Sequence, residues 1–550
     1  MNHIKNINSL GSQVSESLID KLTGRYFTHE VLAKNAIQDL LIHSRNSVFS
    51  NSLVKIADPF AGDGRMIYWL IEEWGKLKLP VVHWEVYLWD INEIGLKVAE
   101  IKMEKLIEKG FKINYFIENE DAFKLTSNYN DTFDIVITNP PWELLKPDSK
   151  ELSCLSENEK ALYIKELKYY DDFLAKEFVL SQPTNKFAGW GTNLSRVGLE
   201  VSSLVAKPDG LVLIVLPASF FADDQSRNLR EFIFSKSTVL DISYYPAEAK
   251  LFGNADISSS TMVFRKREKS AISINISLYN KFLSLENNDV LNLKHSTLRM
   301  TGYTIPISTG SQGILILDKI NAKFKRWKSV EINESNCLWA GREIDETGIQ
   351  KWLFEGIDGI KFLKGRMVNR YEIKTKPFQI VVKEGWKIPQ SVYFEKIVWR
   401  DVSRPSQKRR LIATLVNEQI VAGNSLGVCY YKDGDGNALR ILLGIMNSLC
   451  FEFQLKSYLA TSHISLSAIR KVCIPDRNDF INYQNLLPLV EESLSGATSS
   501  VVKIEAYVAK IIYNLNEEEF NFILNSFEKL TIEEKNCLKY EFKNLSQKND

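Results

Sequence analysis

Two adjacent prolines, Pro140 and Pro141, follow directly on the apolar, β-branched run 133–138, and they leave the backbone few choices there. Each ring fixes its own φ and removes a hydrogen-bond donor. Each also pushes the preceding residue out of the helical region. Asn139 and Pro140 are therefore held extended where the predicted strand ends. Upstream, 53–58 and 81–90 read as strands followed by helical runs at 66–74 and 95–109, and 113–116 reads as a short third strand. Strands alternating with helices predict a parallel, doubly wound α/β sheet covered on both faces. Such sheets bind ligands at the carboxyl ends of their strands, which is where the proline pair falls.

The pattern continues with strands at 210–216, 239–245 and 258–265 and a helix at 226–235, and it closes near residue 290. From 291 to 480 the alternation loosens into short aromatic strands, Gly-containing turns and two helical stretches, and 481–550 reads as helical. A chain of 550 residues, 45% apolar, fits this division into 1–290, 291–480 and 481–550. The longest apolar run, 211–216, is far too short for a membrane span, and no signal peptide pattern opens the chain. Six scattered cysteines without a CxxC pair predict neither a zinc site nor disulfides and fit a reducing cytoplasm.

Chemistry gathers at the predicted strand ends. In Asn139-Pro140-Pro141-Trp142 the Asn139 side-chain oxygen and the Pro140 carbonyl can be aimed at one point. Both are acceptors, which suits an NH2 group with its two donors, and Trp142 offers a flat face to a planar ring. Pro141 holds that geometry. A bare Asn-Pro dipeptide would be an ordinary turn; the strand, the doublet and the aromatic together point to a site. Asp58-Pro59-Phe60-Ala61-Gly62-Asp63-Gly64 opens a helix after the first strand, without dinucleotide GxGxxG spacing. Its glycines allow close backbone approach to a ligand, and Asp58 suits an ammonium group. Asp90 closes the second strand, where a carboxylate can accept both ribose hydroxyls, with Ile91 flanking an adenine ring. Asp121 follows the third strand and can take an adenine amino group, with a backbone N–H from Ala122. Each aspartate alone is as well read as a helix cap or turn former; their succession at three strand ends is the signal.

In this order, these residues resemble the gamma-class N6-adenine DNA methyltransferases of bacterial restriction–modification systems, the family with Asn-Pro-Pro-aromatic catalytic motifs. The resemblance covers most of the first 290 residues. It implies a Rossmann-like doubly wound methyltransferase sheet followed by a mixed α+β target recognition region. The implied cofactor is S-adenosylmethionine, held by Thr28, Asp58, Pro59, Phe60, Gly62, Gly64, Asp90, Ile91, Asp121 and Ala122. Thr28 closes a segment, Thr23-Gly24-Arg25-Tyr26-Phe27-Thr28, similar to the family's N-terminal cofactor strap, although His29 stands where the family usually has proline. Asn139, Pro140, Pro141 and Trp142 are the implied catalytic residues, and Trp142 and Phe252 the residues that sandwich a flipped target base. Residues 438–455 and 463–475 resemble the family's recognition-domain pattern, and 504–524 its closing helices.

The net charge is only +1, but residues 361–410 carry 14 Lys and Arg against 4 Asp and Glu, interleaved with Trp386, Tyr393, Phe394 and Trp399. Such a stretch suits duplex DNA, and Arg400, Arg404, Lys408, Arg409 and Arg410 are its expected phosphate contacts. The expected function is site-specific methylation of adenine in duplex DNA in the cytoplasm, with no metal or membrane. Only about twenty residues precede the strap, so any nuclease is expected on a separately encoded restriction endonuclease chain. The alternatives are the same transfer to cytosine N4, to an RNA base or to a protein glutamine.

Overall fold

The computed structural model describes residues 27–44, 53–183, 186, 189–252, 257–267, 272–294, 298, 301–344, 350–355, 359–374, 380–382, 387–404, 407–459 and 463–545. These fall into two compact units that divide between Ser311 and Gln312.

The first unit is built on a nine-stranded sheet. Its strands are β1 (Leu53–Asp58), β2 (His83–Trp89), β3 (Lys112–Glu118), β4 (Phe133–Thr138), β5 (Ala206–Pro217), β6 (Thr238–Tyr245), β7 (Ser259–Arg265), β8 (Ile272–Tyr279) and β9 (Leu285–Leu293). They lie in the order β3-β2-β1-β4-β5-β7-β6-β8-β9. Strands β3 to β5 are parallel, β7 runs antiparallel to both β5 and β6, and β9 runs antiparallel to β8. The sheet is therefore mixed rather than wholly parallel. All six residues of β4 are buried, as expected of a strand covered on both faces.

Flanking helices include α1 (Glu30–Ser44), α2 (Arg65–Lys76), α3 (Glu93–Glu108), α4 (Glu157–Glu177), α5 (Leu194–Val205) and α6 (Arg227–Lys236). Of these, α1, α4 and α5 were not anticipated from the sequence. Strand order reverses between β1 and β4: β2 and β3 lie beyond β1, and β5 lies beyond β4. This switch point brings the carboxyl ends of β1 and β4 side by side, where sheets of this kind bind ligands.

The second unit contains an antiparallel sheet of Leu338–Gly341, Leu426–Tyr431, Lys396–Arg400 and Ala413–Val416, in that order. A smaller sheet joins Leu353–Glu355, Ile380–Val382, Ile360–Leu363 and Ile420–Ala422. Helices Gly436–Met446, Leu449–Lys456, Thr498–Tyr507 and Glu517–Asn525 share one core with the larger sheet, centred on Trp327, Trp399, Leu442 and Ile523. The arrangement is mixed α and β. No single helix among the described residues is long and apolar enough to cross a membrane; the bent pair Gly436–Met446 and Leu449–Lys456 lies inside this core.

Candidate active site

At the switch point the Thr138 hydroxyl donates to Asp58 Oδ1 at 2.6 Å, joining the last residues of β4 and β1. The Phe60 N–H donates to the same oxygen at 3.1 Å, so both bonds fall on Oδ1. Asp58 is 1% exposed, and burial pushes its carboxyl up to about 7, partly opposed by those two bonds. Asp90 accepts the Gly62 N–H at 2.7 Å and the Asn92 N–H at 2.8 Å, one on each oxygen. It thereby pins the glycine loop to the end of β2. Burial raises its pKa too, against the pull of the Asn92 and Gly62 amides.

The loop needs its glycines. Gly62 and Gly64 have φ of +52° and +71°, the left-handed region costly for other residues. Packing is close as well: a Cβ on Gly64 would stand 2.7 Å from that of Ala99 on α3.

Asp121 caps the short helix Ala122–Leu125 by accepting the Phe123 N–H at 3.0 Å. Its other oxygen accepts the Tyr170 hydroxyl from α4 at 2.9 Å. Burial raises its pKa, while the Lys124 charge and the Tyr170 and Phe123 bonds lower it. Asp121 is thus a helix cap, the first of its two readings. Sequence reasoning missed Tyr170, because nothing in a helical run of mixed charge marks which tyrosine turns back toward the sheet.

Asn139 Nδ2 donates to Thr28 Oγ1 at 3.0 Å. Its Oδ1 is buried and has no partner among the described residues. A buried acceptor without a donor is costly unless something else meets it. Beneath it, α5 passes close to Pro140: a Cβ on Gly198 would stand 2.3 Å from Pro140 Cβ and 3.3 Å from Phe60 Cε2. Gly198→Ala should therefore displace the proline segment, destabilising the unit by about 1–3 kcal/mol. A thermal melt of the variant beside the unsubstituted protein measures the loss.

Trp142 and Phe252 are brought together, with ring centroids 4.5 Å apart and planes at 50°. A base between them needs about 7 Å, twice a van der Waals contact of about 3.5 Å. The pair as it stands is therefore in contact with itself. Phe252 is 3% exposed and packs in the sheet's main apolar cluster. Of the N-terminal strap, Phe27 and Thr28 are described; residues 23–26 lie outside the described residues, as does Trp386.

Residues 87–252 match the family model of the Eco57I restriction-modification methylase, and residues 360–474 match that of the TaqI-like C-terminal specificity domain. The chain carries these two domains. No curated protein sequence matches it significantly. Among solved structures it is similar to the type IIL restriction-modification enzyme MmeI in complex with DNA. Identity there is 11%, with 99% of this chain and 78% of that one covered and a TM-score of 0.51. It is also similar to the type IIG restriction endonuclease BpuSI, at 14% identity and a TM-score of 0.44, covering 94% of this chain and 66% of that one. A putative class I S-adenosylmethionine-dependent methyltransferase from Listeria monocytogenes is 16% identical, with a TM-score of 0.32 and 51% and 73% coverage. At these identities the likeness is one of fold.

In the specificity domain the structure corrects the expected phosphate contacts. Arg409 is 9% exposed and donates to Glu452 at 2.7 Å, to Glu505 at 2.7 Å and to the Asn447 carbonyl at 2.8 Å. Burial alone would lower its pKa; the two carboxylates more than reverse this and keep the guanidinium charged. Arg410 is 7% exposed and donates to the Ser403 carbonyl. These two arginines tie the second unit together and do not face solvent. Arg400, half-buried, donates to the Val368 carbonyl and Asn369 Oδ1. Lys408 is exposed and pairs with Glu534, and Arg404 is exposed. Trp399 is 1% exposed and stacks over Gly427, so it is not available to a base. Among the described residues, no cluster of three or more His, Cys, Asp or Glu could hold a metal ion.

Proposed function

We propose that the chain is an S-adenosylmethionine-dependent DNA methyltransferase that modifies adenine N6 at a specific site, as the modification component of a restriction–modification system. The observation that carries this reading is Asn139 Oδ1: a buried, unpartnered acceptor at the end of β4, one strand from the buried carboxylate of Asp58. The matched methylase and specificity domains supply the substrate class.

The donor set fits the cofactor. Asp58 Oδ2, the oxygen outside the Thr138 and Phe60 bonds, would face its ammonium group. Asp90 would take the ribose hydroxyls, since each carboxylate oxygen accepts more than one hydrogen bond. Ile91 and Phe60 would flank the adenine, Ala122 would offer it a backbone N–H, and Asp121 would take its amino group beside the Tyr170 hydroxyl. Pro59, Gly62 and Gly64 would shape the loop around it. Bound S-adenosylmethionine supplies an electrophilic methyl group: a nitrogen–carbon bond forms as the carbon–sulfur bond breaks, and the bonding pair stays on sulfur.

An exocyclic amine is a weak nucleophile because its lone pair is delocalised into the ring. Asn139 Oδ1 and the Pro140 carbonyl would accept its two hydrogens, pyramidalise the nitrogen and localise the pair, and the displaced proton would pass to solvent. Positioning and fixed dipoles supply the catalysis. The adenine must leave the duplex, at a cost of a few kcal/mol, and the Trp142 and Phe252 rings must part to receive it. The specificity domain would bind DNA, with Arg404 and Lys408 the exposed members of the expected phosphate set. The test is transfer of labelled methyl from S-adenosylmethionine with duplex DNA, RNA and protein present together. Label in DNA supports the reading; label in RNA or protein alone overturns it.

The raised pKa of Asp58 gives a pH dependence. In the free protein Asp58 becomes a carboxylate only as pH rises through about 7. An ammonium partner binds the carboxylate, so cofactor affinity should rise across that range. It should then fall as the cofactor's own amine, near the usual α-amino value of about 7.7–8.0, deprotonates. Asp58→Asn should weaken binding and remove the lower limb of a calorimetric pH profile. Folding has the opposite sign. A carboxyl raised on folding stabilises below its unfolded pKa, and that contribution is lost as pH rises toward 7.

A further inference from the structure

We infer that Thr28 is a positioning residue for Asn139: its hydroxyl takes one amide N–H and so leaves the amide oxygen facing the substrate. The inference rests on the reading that Asn139 meets an amine. A side-chain amide fits its space either way round, and the two orientations present opposite chemistry, an acceptor or a pair of donors. An amine brings donors of its own, so one orientation serves and the other repels. A hydroxyl can meet either end of an amide; here Thr28 Oγ1 accepts from Nδ2 at 3.0 Å, and Oδ1 is left buried without a partner among the described residues.

Thr28 is itself held from two sides. It is 4% exposed, and its carbonyl accepts Arg65 Nη1 at 3.3 Å. Arg65 is fixed in turn by two 2.8 Å bonds to Asp63, and its guanidinium carbon lies 4.4 Å from the centroid of the Phe27 ring. Lys102 of α3 donates to the Asp63 carbonyl at 2.8 Å. On the other side Thr28 leads into α1, where Ala33, Ala36, Ile37 and Leu40 are fully buried. The hydroxyl is thus anchored to both the glycine loop and a core helix. It orients Asn139 from a rigid base rather than from a loose strap. This differs from the cofactor contact that the family resemblance implies for Thr28, and the two roles separate experimentally.

The variants are Thr28→Val, which keeps the shape and removes the hydroxyl, and Thr28→Ser, which keeps the hydroxyl. With saturating S-adenosylmethionine and duplex DNA, Thr28→Val should slow single-turnover transfer about 10–100-fold. Cofactor affinity by calorimetry should stay at the wild-type value, and Thr28→Ser should restore the rate. Weakened cofactor binding with a full single-turnover rate would make Thr28 a cofactor contact and overturn the inference. A double-mutant cycle in thermal unfolding reads the contact without any turnover. The drop in midpoint caused by Thr28→Val should shrink in the Asn139→Ala background. An equal drop in both backgrounds would show that the two side chains are not coupled, whatever the protein methylates.

Discussion

Asn139→Ala should reduce single-turnover methyl transfer at least about 10²–10³-fold, the usual loss when one preorganised hydrogen-bonding group at a reacting atom is removed. Cofactor affinity should be unchanged. Asn139 bonds Thr28 alone among the described residues, and the aspartates facing the proposed cofactor sit on other strands. Stability should not fall much, because the side chain's one satisfied bond is lost together with an acceptor that is buried and unmatched. The combination expected is a folded, cofactor-binding, inactive protein. Rapid-quench kinetics beside calorimetry reads both halves. A variant that transfers at the wild-type rate would remove Asn139 from the chemistry.

Arg409→Ala should unfold or severely loosen the second unit, costing about 3–5 kcal/mol, because it takes the ion-pair partner from buried Glu452 and leaves Glu505 with Arg370. Glu452 and Glu505 are 1% and 3% exposed and share this one guanidinium, with Arg370 donating to Glu505 at 2.9 Å. Lys408→Ala should be close to neutral for stability, since its pair with Glu534 is on the surface. Urea unfolding separates the two, and the salt dependence of DNA binding tells the rest. The slope should fall for Arg404 and Lys408 variants that remain folded, by about 0.9 per lost phosphate contact. If Arg409→Ala left the unfolding midpoint in place while lowering that slope, the buried assignment would be wrong.

The contrast between these two residues shows what the sequence can carry. The place of Asn139 at the end of a buried strand was legible because its constraints are local: the strand 133–138 before it and the two prolines after it act within a few bonds. The same holds for Asp58, Asp90 and Asp121, each marked by the strand it ends. Arg409 was not legible. Its partners are 43 and 96 residues away, and a count of basic residues says nothing about which way each one points. Trp399 misled for the same reason, as an aromatic counted toward base stacking is buried against Gly427 of the neighbouring strand. Thr28 stood in between. Resemblance marked it as part of a cofactor strap, but its contact with Asn139 spans 111 residues and needed the fold. The antiparallel β7 also escaped, since periodicity gives the strand and not its direction.

The most direct measurement is nucleoside analysis of the product. Purified protein is incubated with duplex DNA of mixed sequence and methyl-labelled S-adenosylmethionine, the DNA is digested to nucleosides, and the labelled species is identified by mass spectrometry. The account predicts label on N6-methyladenine, lost in Asn139→Ala. Label on N4-methylcytosine, or methyl transfer that persists without the Asn139 side chain, would contradict it.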